Sequence, residues 1–271
     1  MMKWSWWILL WILPACTSSE LVDPAGKSEH ATQRTNAQLD AVAVGSTCDS
    51  ATSVAATFAP AAGHPGTTAL PIDDPRIVAW ANGVLDIDYG AKVDEKWKVP
   101  ERALGAAQGT STDVVSLGEG GAITLGFAQP IVDINGPDLC VFENSFSDTF
   151  LEFAFVEVAS DATVFVRFGA YSRVTSPVDT FGTIDPTLVD GLAGKYRQGF
   201  CTPFDLAWLY GRPEVLSGAL DLNSIRYVRI HDIVGDGTEL DCASAPIYDP
   251  YPTTGGAGFD LDGIAVLEAA P

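Results

Sequence analysis

The chain has 271 residues, and 35 acidic side chains against 15 basic ones give it a formal net charge of −20. A field of that sign repels phosphate backbones and anionic lipid, which excludes nucleic acid and acidic membrane surfaces as partners. Glycine (26) and proline (17) punctuate short runs of β-branched and aromatic residues, the texture of an all-β fold.

Residues 1–15 read as a signal peptide: Lys3 is followed by an apolar run from Trp6 to Leu13, too short for a membrane span. Leu13-Pro14-Ala15-Cys16 resembles the lipobox of bacterial lipoproteins, which implies lipidation of Cys16 as the new first residue. A plain signal-peptidase site is the alternative. By the same resemblance, Thr17 after the cysteine fits sorting to the outer membrane. Residues 16–57, rich in Ala, Ser and Thr, read as a lipidated N-terminus and flexible tether, and 58–271 as one β-sandwich domain.

Within that domain, residues 74–83 predict a short helix, with Asp74 at the N-cap, Pro75 in the first turn and Gly83 just past the end. Strands are predicted over 113–117, 122–127, 139–143, 151–159, 163–168, 225–233 and 259–268. Gly118-Glu119-Gly120-Gly121 reads as a hairpin turn between the first two. Residues 204–210 suggest a second short helix. The pattern predicts a jelly-roll-like antiparallel β-sandwich with long loops and one or two short helices.

Of the five cysteines, setting Cys16 aside leaves Cys48, Cys140, Cys201 and Cys242, an even number with no Cys-x-x-Cys pair. In an exported chain this predicts two disulfides, and the spacing alone leaves all three pairings open.

Five stretches carry a family resemblance: DVVSLGEGGAITLGF, PDLCVFENSFSDTFLEFAFVEVASD, GLAGKYRQGFCTPFDL, RYVRIHDIVGDG and IYDPYPTTGGAGFDLDGIAVL. With DDPRIVAWANG upstream, they make the chain resemble a poorly characterised family of bacterial exported cell-surface proteins, often bearing PEP-CTERM-type sorting tails. In that family small residues stand where this chain has Cys140 and Cys201. The resemblance therefore implies a Cys140–Cys201 bridge and leaves Cys48 to Cys242. No sorting helix precedes Pro271, so anchoring is expected to rest on the N-terminus. More loosely, FVEVASDATVFVRFGAYS, RYVRIHD and FDLDGIAVLE are similar to strands of discoidin-like and carbohydrate-binding jelly rolls, which implies that fold and binding at loop tips.

Asp260 and Asp262 stand two apart in a predicted strand, so both side chains leave on one face, about 7 Å apart. Ile264 and Val266 continue that face inward. Such a pair repels unless something positive lies between. If the last two strands pair, Asp232, Asp236, Glu143 and Asn144 join them at one edge, an oxygen-only set that suits Ca²⁺. The competing reading has these acids capping turns. Tyr248 and Tyr251, on a loop stiffened by proline, are the candidate ligand-stacking residues, or else they cover the sandwich edge.

Catalytic signals are weak. His231 and Asp232 are adjacent and face opposite ways in a strand, and no nucleophile elbow, zinc-binding helix or phosphate loop occurs. Glu157 shares strand parity with Phe153 and Phe155, which a buried ion pair with an arginine such as Arg167 or Arg229 explains as well as catalysis does. The sequence thus predicts a calcium-stabilised, non-catalytic surface lipoprotein whose ligand is a cell-envelope or extracellular glycan. The alternatives are a structural or adhesive surface protein without a small-molecule site, and a polysaccharide hydrolase.

Overall fold

Short strands joined by long loops account for most of the described residues, 57–268, of the computed structural model. The signal peptide, the tether, Cys16 and Cys48 lie outside the described residues. In chain order the strands are β1 (Leu70–Pro71), β2 (Ile77–Trp80), β3 (Gly83–Asp88), β4 (Val115–Ser116), β5 (Ala122–Ile131) and β6 (Leu139–Glu143). There follow β7 (Ala154–Ala159), β8 (Val166–Arg167), β9 (Tyr171–Ser172), β10 (Val189–Asp190) and β11 (Phe200–Phe204). The last four are β12 (Ile225–Asp232), β13 (Asp236–Leu240), β14 (Pro246–Tyr248) and β15 (Asp260–Leu267). Among the described residues no helix is long and apolar enough to cross a membrane.

Two antiparallel sheets form the sandwich. One runs β1-β11-β6-β15-β2, with β4 also on β15, and the other runs β3-β5-β12-β7-β8. Take the eight principal strands as β2, β5, β6, β7, β8, β11, β12 and β15. The first pairs with the last, the second with the seventh, the third with the sixth and the fourth with the fifth. That nesting is the double Greek key of a jelly roll. It also puts β12 and β15 in opposite sheets, so the last two strands do not pair as the sequence reading supposed.

The two sheets differ because their outer faces differ. In the β5-β12-β7 sheet, Ile123, Leu125, Val156, Val158, Val228 and Ile230 turn inward. The alternate positions carry an ion-pair strip: Arg167 lies 2.8 Å from Glu157 and Arg229 3.5 Å from it. Glu157 is thus paired with both arginines, in a partly buried setting. The other sheet is covered on both faces, which is why β6 reads as the unbroken run Leu-Cys-Val-Phe before Glu143. Leu139 and Val141 enter the inter-sheet core, while Cys140 and Phe142 join an outer cluster with Cys201, Ala265 and Trp80. Cys140 and Cys201 form a disulfide between the neighbouring strands β6 and β11, with Cα atoms 5.6 Å apart. Cys242 is also disulfide-bonded.

Three local expectations are corrected. Residues 77–80 form an edge strand on β15 instead of a helix. Asp74 accepts the backbone N–H and the guanidinium of Arg76, which closes a single turn, and the β-branched residues after it pair with β15. The Gly118–Gly121 segment is an arch and not a hairpin, since β4 and β5 belong to different sheets. In β15, Leu261 and Ile264 both enter the core although they are three residues apart. A register shift between Leu261 and Gly263 switches the strand's parity, so Asp260 and Asp262 do not share the face of Ile264. The segment 204–210 does turn helical, as a short 3₁₀ turn over Leu206–Leu209, and α1 (Pro213–Leu216) follows it.

Candidate functional site: a buried carboxylate rim

Antiparallel pairing collects acids at one end of the sandwich. β6 ends in Glu143 beside Leu261 at the start of β15, and β12 ends in Asp232 beside Ala154 at the start of β7. Glu152 precedes β7 and Asp249 follows β14, so both enter the same end. Glu143, Glu152, Asp232, Asp249 and Asp260 are all buried.

Backbone amides hold most of these carboxylates. Asp232 accepts from Phe259 (2.6 Å) and Gly120 (2.7 Å), and so joins both sheets to the arch. Asp249 accepts from Phe153 N–H at 2.8 Å and Glu143 from Ser145 N–H at 2.7 Å. Asp260 Oδ2 accepts from Asn144 Nδ2 at 2.9 Å, while Oδ1 is buried with no hydrogen-bond partner among the described residues. Glu152 is only 7 % exposed, and its carboxylate has no hydrogen bond or ion pair among the described residues. It lines a small pocket with Glu119, Asp232, Asp249 and Thr253.

No basic side chain among the described residues forms an ion pair with any of these five acids. Burial pushes the carboxyls of Glu143, Glu152, Asp232 and Asp249 well above the usual carboxylate range. The negative charge of Asp260 raises Glu143 and Glu152 further, and that of Asp232 raises Asp249. Burial carries Asp260 itself up to about 7. Such a group is stabilised by protonation, by hydrogen-bond donors or by a cation among its oxygens.

Two glycines let the backbone come this close. A Cβ on Gly235 would lie 1.8 Å from Asp249 Oδ1, and one on Gly258 would lie 2.8 Å from Asp232 Oδ1. Both have positive φ, +81° and +69°.

The chain matches no protein-family model and no curated protein.

Of the residues singled out in the sequence, Glu143, Asn144 and Asp260 come together directly. Asp262 is buried near Glu143, but its two oxygens accept from the backbone N–H groups of Gln108 and Gly109. Asp232 stands on the opposite sheet, beside Asp249. Asp236 is exposed at the start of β13, and its carboxylate accepts from the backbone N–H and hydroxyl of Thr238. Tyr248 packs its ring against Gly237, and Lys92 Nζ lies 4.9 Å from the Tyr251 ring centre, so both tyrosines are covered on one side. His231 faces Arg167, and burial together with that charge holds its imidazole below the ordinary range.

Glu152 and Asp249 complete the rim and were not among the expected ligands. The available signal was an acid set between Leu151 and Phe153, both fully buried. A second acidic group brings Asp133, Asp138 and Asp205 within 4.8 Å of one another. Asp138 accepts from Ile134 and Leu206, Asp205 from Ala207 and Asp133 from the Tyr210 hydroxyl, an arrangement that clamps two loops.

Proposed function

We propose that this chain is an exported, lipid-anchored surface protein whose jelly roll is braced by calcium at its acidic rim and binds a carbohydrate without catalysing a reaction. The observation that carries the proposal is Glu152, 7 % exposed and raised by burial and by the charges of Asp260, Glu143, Asp249 and Asp232, with no basic side chain paired to it among the described residues. Oxygen donors without histidine or thiolate suit a hard cation of Ca²⁺ type, which takes six to eight such ligands. Glu143, Glu152 and Asp260 would have to draw together to hold it, with Asp232 and Asp249 as the neighbouring acids, since among the described residues only the trio Asp133, Asp138 and Asp205 has ligand oxygens within 4.8 Å of one another.

Ligand binding is supported by the loop that leaves Glu143 and Asn144. Phe146 and Phe150 stack at 4.8 Å and Phe150 and Phe181 at 6.5 Å, and Phe181 is 83 % exposed. Aromatic rings displayed on braced loops suit stacking against the apolar face of a sugar. Anchoring through Cys16, and with it the outer-membrane or cell-surface location, rests on the N-terminal sequence.

Thermal melting of the purified mature chain tests the cation. Millimolar Ca²⁺ should raise the melting temperature and a chelator lower it, and identical curves would remove calcium from the reading. On a glycan array, hits of one defined structure support the binding module, whereas a blank array favours a structural or adhesive role.

A further inference from the structure

A second feature shares no residue with the acidic rim. Beside the edge strand β1 and its neighbour β11 a cavity of about 530 Å³ opens, a size within the usual range for small-molecule sites. Its wall includes Trp208, which is 54 % exposed. The indole is fixed by edge contacts to Phe168 (6.2 Å, 88°) and Phe204 (6.4 Å, 62°), so the ring is held in place while half of it stays open to solvent.

Two buried polar groups line the same cavity. Lys195 is 2 % exposed and Thr202 is 5 % exposed, and neither Nζ nor Oγ1 has a hydrogen-bond partner among the described residues. Lys195 Nζ lies 3.6 Å from Asp190 Oδ1, within ion-pair range but too long for a hydrogen bond. Thr202 shares strand parity with Phe204, whose ring enters the inter-sheet core. A hydroxyl therefore stands where the sheet would ordinarily bury an apolar side chain. Lys195 Nζ has Asp190 and the Phe58 and Tyr196 rings (5.9 and 5.7 Å) beside it but no hydrogen bond among the described residues, and Thr202 Oγ1 has none either. Buried donors left without hydrogen bonds are rare in native proteins, and a ligand is one of the few things that accounts for them.

Charge narrows the ligand class. Arg76 also lines the cavity but is matched by Asp74 at 2.9 Å. That leaves one ammonium, Lys195, against the carboxylates of Asp190 and Asp205 in a chain of net charge −20. An anionic ligand meets repulsion here, while a neutral polyol finds both donors and acceptors.

We propose that this cavity binds a neutral saccharide, with one ring stacked on Trp208 and its hydroxyls hydrogen-bonded by Lys195, Thr202 and the two carboxylates. The proposal rests on the carbohydrate-binding reading and assigns it a place and a ligand class. Calorimetric titration of the mature full chain with cello-, manno- and galacto-oligosaccharides tests it, with oligogalacturonate as the anionic comparison.

At least one neutral series should bind, and Trp208→Ala and Lys195→Met should each weaken it ten-fold or more. Trp208 is exposed enough for its variant to keep the wild-type melting temperature, which separates lost binding from lost folding. Binding that survives both substitutions and falls with Phe146→Ala or Phe181→Ala would overturn this cavity and leave the carbohydrate reading standing. Tighter binding of oligogalacturonate would overturn the neutral class. No binding by any of these sugars would overturn the carbohydrate reading and this proposal together.

Discussion

The carboxylate of Asp232, the last residue of β12, accepts the backbone N–H of Phe259 at 2.6 Å, just before β15 begins in the opposite sheet. Its other oxygen takes the N–H of Gly120 in the arch between the sheets. One side chain thus closes the open end of the sandwich. Asp232→Ala leaves two amides without acceptors in a buried setting, at a cost of about 1–3 kcal/mol each. Urea unfolding at pH 5, where carboxylate repulsion is reduced, should show that loss. An unchanged midpoint would mean that the rim is held by other contacts.

Glu152 should behave in the opposite sense. It accepts no hydrogen bond among the described residues and adds negative charge beside Asp260, Glu143, Asp249 and Asp232. Glu152→Gln keeps its shape and removes the charge, so in chelator the variant should melt higher than wild type. In millimolar Ca²⁺ the advantage should vanish or reverse if, as proposed, Glu152 is a ligand. A variant that melts lower by the same amount in both buffers would mark Glu152 as a packing residue only.

Buried carboxyls in both acidic groups, Asp260 at the rim and Asp138 beside Asp133 and Asp205, set a pH dependence for the protein in chelator. Burial raises Asp138 from 3.8 to about 6 and Asp260 from 3.8 to about 7. The folded protein therefore keeps protons that the unfolded chain releases between about pH 4 and 7. The stability this contributes is fully present below the unfolded value and is lost as pH rises through the folded one. For Asp138 alone it is on the order of 3 kcal/mol. In chelator, melting should be higher at pH 5 than at pH 8, and Ca²⁺ should narrow the gap by holding the ionised carboxylates. Greater stability at pH 8 in chelator would contradict the crowding of these acids.

The fold was legible wherever one periodicity acted alone. Ile123, Leu125 and Phe127 in β5 and Val156 and Val158 in β7 alternate cleanly, because their sheet has one wet face. Residues 74–83 misled because a helix N-cap and an edge-strand turn use the same residue types, and only pairing with β15 decides between them. Asp260 and Glu143 do lie at neighbouring strand ends, but through pairing of β6 with β15 and not through the pairing of the last two strands that the sequence reading supposed. The shift at Leu261 was not legible, since a bulge leaves no mark in a two-residue alternation. Asp249 was hidden among tyrosines and prolines that drew attention as ligand platforms. Lys195, in a Gly-Lys-Tyr loop, gives no sign in the sequence that its ammonium is buried.

The Cys140–Cys201 bridge offers a test of the outer cluster. It joins residues 61 apart, a loop long enough for cross-linking to disfavour the unfolded chain by about 4 kcal/mol in the chain-entropy view. Both cysteines are fully buried beside Phe142 and Ala265, where a reductant reaches them only when the sheet opens. Mild reducing agent should therefore leave the native protein intact, whereas Cys140→Ala with Cys201→Ala should lower stability by about 2–5 kcal/mol. Rapid reduction under native conditions would show that β1 and β11 separate readily from β6. That result would also loosen the wall on which Thr202 sits, linking the bridge to the cavity beside it.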